Sequence, residues 1–81
     1  MKIPAIKKII EANYTLEMLD AAEEALINEE EPSIEIDGED DGEQLTHIFA
    51  AKWIIEYMQS SGNDFKTSLR AYTQKVRNSI S

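Results

Sequence analysis

Apolar residues recur along this chain with the period of a helix, in four stretches parted by polar breaks. Pro4 stands where a first helical turn tolerates it, and Ile3, Ile6 and Ile10 recur at spacings of three and four, which predicts a helix over about 4–13. Thr15 is placed to cap a second helix over 15–30, whose Leu16, Leu19, Ala22 and Leu26 form one stripe; Pro32 disfavours the α conformation at Glu31 and ends it. Asp41 with Gln44 three residues later resembles a variant capping box opening a third helix over 42–61, with a stop at Gly62. Asp64 caps a fourth over 64–79, where Phe65, Leu69, Tyr72 and Val76 make the clearest amphipathic stripe in the chain.

The third stretch is apolar nearly all round. Only Lys52, Glu56 and the flanking Gln44 and Gln59 give it a polar edge, so it is expected to be the central helix or part of a subunit interface. Between Pro32 and Gly42 the composition turns to Pro, Ser, Asp, Glu and Gly. That is a loop, with Ile34-Glu35-Ile36 as a brief extended segment and Asp37-Gly38 as a turn. The expected architecture is one all-α domain over 1–81, four helices in two antiparallel hairpins joined by the acidic loop 32–42. Leu69→Ala is then expected to cost about 2 to 5 kcal/mol as a core truncation.

Length changes this picture only by limiting the core. In a chain of 81 residues a single core rarely supplies more than about 3 to 5 kcal/mol of net stability, and small proteins add disulfides, metals or subunits. There is no Cys, which removes disulfides and thiolate metal sites and points to self-association, a homodimer. Charges interrupt every apolar stretch of the first ten residues, leaving no signal-peptide core, and the longest charge-free apolar run, Leu45 to Ala51, falls far short of a spanning helix. A cytoplasmic protein without membrane contact is expected.

Charge is distributed one-sidedly. From Glu11 to Glu43 there are fourteen Asp or Glu and no Lys or Arg, whereas Asn63 to Ser81 carries Lys66, Arg70, Lys75 and Arg77 against Asp64 alone. Acids at helical spacings on the second helix repel one another, and Glu29, Glu30 and Glu31 crowd the negative end of its dipole. Two readings follow, a solvated face kept for solubility or a surface for a basic partner built from Glu29, Glu30, Glu31, Asp37, Glu39, Asp40 and Asp41. The basic fourth helix is expected to complement these acids, in the same chain or a symmetry mate. A net charge of −8 speaks against nucleic acid.

Few residues carry chemistry. Asp37, Glu39, Asp41 and Gly42 match the first half of a calcium loop, but Ile48 stands where the closing bidentate Glu belongs, so no metal or other cofactor is expected. His47, the one imidazole, shares a helical line with Ala51, Ile54 and Met58 and reads as a packed or rim residue. With no second His and no Cys, a nucleophilic triad has nothing to be built from, and an enzyme would have to use paired carboxylates such as Asp37 and Asp41. Trp53, Tyr57, Phe65 and Tyr72 read as interface anchors or as the lining of a small-molecule pocket between helices three and four. In size and charge the chain is similar to acyl carrier proteins, but their Asp-Ser-Leu attachment site is missing, the only Ser-Leu being Ser68-Leu69 in the last helix.

On its opening Met1-Lys2-Ile3-Pro4-Ala5-Ile6-Lys7, on Pro32-Ser33-Ile34, and on Gly62, Leu69, Tyr72 and Val76, nearly the whole chain resembles a family of short uncharacterised bacterial proteins, a domain of unknown function. That resemblance implies a noncatalytic protein with an association to peroxiredoxin and thioredoxin genes, hence a helper in thiol redox metabolism. It brings no functional residues with it. From the residues themselves the expected function is a noncatalytic protein-interaction or regulatory module with an acidic surface; the alternative is a small-molecule or cation-binding module using the aromatic pocket.

Overall fold

In a computed structural model, which describes residues 2–80, the chain folds into α1 (Ile3–Glu11), α2 (Leu16–Ile27), α3 (Asp41–Ser61) and α4 (Phe65–Ile80). Met1 and Ser81, the ends of the expected domain, lie outside the described residues. No strand forms among those described, and Ile34 to Ile36 stays irregular.

α3 is the central helix. His47, Ile48, Ala50, Ala51 and Ile54 are buried on it, and the two adjacent alanines leave room for neighbouring backbones to approach. α1 brings Ala5, Ile6 and Ile9 against it, and α2 brings Leu19, Ala22 and Leu26. α1, α2 and α4 each pack on α3, and α1 and α2 do not pack on one another. The expected first hairpin is therefore corrected: consecutive helices straddle α3, because its all-round apolar surface offers each of them more burial than they offer each other. α3 and α4 do form an antiparallel hairpin, with Trp53 meeting Tyr72 across it at 5.6 Å between ring centroids.

The helix ends follow local chemistry. Thr15 Oγ1 accepts from Met18 N–H (3.1 Å), and Asp64 Oδ1 accepts from Thr67 N–H (2.9 Å), both as expected. α3 starts one residue earlier than expected: Asp40, in extended conformation, accepts from Glu43 N–H at 2.7 Å, while the Gln44 side chain instead donates to Gly38 O. α1 stops at Glu11, short of Asn13, because Asn13 turns left-handed (φ 59°). α2 stops at Ile27 rather than Glu30. There Glu29 takes the left-handed conformation (φ 59°), with Glu29 N–H donating to Leu26 O and Glu30 N–H to Ala25 O, the two bonds of a Schellman cap.

Candidate functional site

The acidic loop is tied to the body by apolar, hydrogen-bonded and ionic contacts. Ile36 is buried in the core and Ile34 packs beside it. A Cβ at Gly38 would stand 2.9 Å from the backbone nitrogen of Gln44, so glycine is what lets the loop lie against the start of α3. His47, fully buried, accepts a hydrogen bond from the Lys2 backbone N–H at Nε2 (2.9 Å), and its Nδ1–H donates to the Asp37 carbonyl (2.7 Å). One imidazole thus joins the chain's start, the loop and α3. The packed reading of His47 holds, and both ring nitrogens are occupied by backbone groups 45 and 10 residues away.

The seven acids expected to form one surface are divided by the fold. Lys8 Nζ lies 3.2 Å from Glu35 Oε1 and 3.3 Å from Asp37 Oδ1, and these hydrogen bonds raise the Lys8 pKa above its ordinary value. Lys2 reaches Glu39 at 3.4 Å and Glu43 at 3.8 Å. Asp40 is spent on its cap. The half calcium loop is therefore occupied by lysine ammonium groups, and Asp41 lines a different cleft from Asp37, so the two do not pair.

Glu29, Glu30, Glu31 and Asp41 do come together. They rim a cleft of about 430 Å³ whose apolar side is Leu26, Ile34 and Ile36, and none of the four makes an ion pair among the described residues. Sequence reasoning missed two features around it. Pro32 and the two isoleucines supply the cleft's apolar wall, and the repulsion expected along α2 is relieved by Lys52 of α3, which pairs with Asp20 and, at 3.4 Å, with Glu23. The Asp20 hydrogen bond is the main cause of the raised Lys52 pKa. The i, i+3 spacing of Asp20 and Glu23 was the available signal.

The aromatic residues pack on each other. Trp53 stacks on Tyr57 (5.0 Å between centroids, 14° between planes) and tilts against Tyr72, while Phe65 is half-buried at the start of α4. A cleft of about 350 Å³ touches Trp53 and Tyr57, but Glu56 and Ser60, also of α3, complete its lining.

The profile of one protein family matches residues 1–81, the whole length. The chain belongs to DUF6952, a family of unknown function. No curated protein and no solved structure matches the chain. Membership of DUF6952 agrees with an uncharacterised domain, and the all-α fold of four helices stands on the structure itself. No helix among the described residues is long and apolar enough to cross a membrane.

Proposed function

We propose that this DUF6952 chain is a noncatalytic protein-interaction module whose acid-rimmed cleft holds a basic, amphipathic segment of a partner. The observation that carries this reading is the contrast between acids: Asp37, Glu39 and Glu43 have lysine partners, whereas Glu29, Glu30, Glu31 and Asp41 surround an apolar wall and have none among the described residues. Lys and Arg suit such a site, since their aliphatic stems cover apolar surface while the charged heads stay at the polar rim. Glu29 to Glu31 also sit at the negative end of α2, where a cation is favoured by about 0.3 to 1 kcal/mol. A cytoplasmic setting in a bacterium, with a role beside thiol redox enzymes, completes the proposal.

The test is a titration of the folded chain with a synthetic helical peptide of alternating Lys and Leu faces. Reversing Glu29, Glu30 and Glu31 to Lys should weaken binding about tenfold or more, roughly 1.4 kcal/mol, and flatten its salt dependence. Reversing Glu11, Glu24 and Glu56, which lie away from the cleft, changes net charge equally and should have a much smaller effect. Equal losses from both triple variants would reduce the acids to a general solubilising charge.

A further inference from the structure

α4 is the least covered element of the fold. Ser68 is its one buried residue among those described, and Phe65, Leu69, Tyr72 and Val76 are all half-covered. It rests on α3 alone. A helix of sixteen residues is marginal by itself in water and is stabilised chiefly by packing its apolar face, so a face covered on one side leaves α4 weakly held. Beside it, α3 presents Leu45, Phe49, Trp53 and Tyr57 at successive spacings of four, all partly exposed, with Phe49 at 49 %. A ridge of large apolar side chains in the open, next to a half-covered helix, marks an interaction surface.

Charge identifies what covers it. α4 carries four cations and no acid, which leaves −12 on the rest of a chain at −8. None of Lys66, Arg70, Lys75 and Arg77 forms an ion pair among the described residues; the carboxylates that are paired are held by Lys2, Lys8 and Lys52. An acidic partner would suit α4 and be repelled by the body; a basic one would suit the body and be repelled by α4. A second copy carries both signs.

We propose that the α3–α4 hairpin is a self-association surface, occupied by the same hairpin of a second copy about a two-fold axis that runs along the helices. Such a pairing sets α4 of each copy beside α3 of the other and antiparallel to it, as within one chain, so Lys66 and Arg70 stand level with the exposed Glu56 of that helix. The two aromatic ridges close on each other, and four helices form one intermolecular bundle. The inference rests on the interaction reading above but names a second face and its occupant.

Sedimentation equilibrium on the full chain tests it. A concentration-dependent dimer is expected, and Phe49→Glu, at a position outside the buried core, should raise the dissociation constant about thirtyfold or more. Arg70→Glu and Glu56→Lys should each weaken the dimer, and the two together should restore it, because the two-fold sets each residue against the other's counterpart. Helix content by circular dichroism confirms that every variant is folded. A chain that stays monomeric at all concentrations, or a dimer indifferent to Phe49→Glu and to the charge swap, overturns this inference. If peptide capture still depends on Glu29 to Glu31 in that case, the cleft survives alone; dimerisation without peptide capture leaves the opposite result.

Discussion

At the scale of single residues, strain and the acidic surface coincide at Glu29. A left-handed conformation costs a residue with a Cβ roughly 1 to 2 kcal/mol, and this one also places a negative charge beside the carbonyl end of α2. Glycine would relieve both, against an added unfolded-state entropy of about 0.5 to 1 kcal/mol. Glu29→Gly is therefore expected to stabilise the fold by about 1 kcal/mol in urea denaturation while weakening capture of the basic peptide. A destabilised variant would mean that the Glu29 side chain makes a compensating contact. The sequence contains no glycine to announce this cap, which is why the Pro32 signal alone placed the end of α2 at Glu30. His47 shows a related limit: its position on an apolar helical line was legible, but its hydrogen-bonding partners are backbone groups, which no side-chain pattern encodes.

At the scale of elements, α3 and α4 stand at opposite ends of one gradient of burial. The number and order of helices were legible because α1, α2 and α4 carry apolar stripes, α3 is a long apolar run, and chemical signals mark their ends, Thr15 and Asp64 at starts and Gly62 at a stop. The degree of burial was not, since a stripe such as Phe65, Leu69, Tyr72 and Val76 looks the same whether one helix or two cover it. Leu69 is half-buried, so Leu69→Ala in dilute protein should cost about 1 to 2 kcal/mol, at or below the lower limit for a core leucine. The cost should grow as protein concentration rises, if a second copy completes the burial. Urea melts at two concentrations a hundredfold apart check this. A full core penalty that does not depend on concentration would show α4 already packed within one chain.

For the whole molecule, the one-sided charge was legible from the sequence, but its pairing was not: three lysines from α1 and α3 and their neighbourhood take up some of the loop and α2 acids, and among the described residues α4 pairs with none of them. This arrangement sets the response to pH. Hydrogen bonds that Lys52 donates to Asp20 and Lys8 donates to Glu35 and Asp37 raise both lysines above 10.5, and burial raises Tyr72 above 10.0. In all three the folded value exceeds the ordinary one, so their contribution is complete below about pH 10 and is lost as pH rises through the folded values. Asp64 is the opposite case. The Thr67 N–H bond lowers it below 3.8, so its contribution is present above that value and is lost as pH falls further. Lysine deprotonation also drives a chain already at −8 further from neutrality, whereas carboxylate protonation first brings it closer. The two effects add at alkaline pH and oppose each other on the acid side. Thermal midpoints by circular dichroism should hold between about pH 5 and 9 and fall steeply above 10, and Lys52→Met should flatten that alkaline fall. The Lys52 bridge is partly exposed and worth about 0 to 1 kcal/mol, so Lys52→Met should lower the plateau by no more than that. A fall between pH 9 and 11 that is unchanged in Lys52→Met would assign the alkaline limb to self-repulsion and Tyr72, with the bridge from α3 to α2 contributing nothing to it.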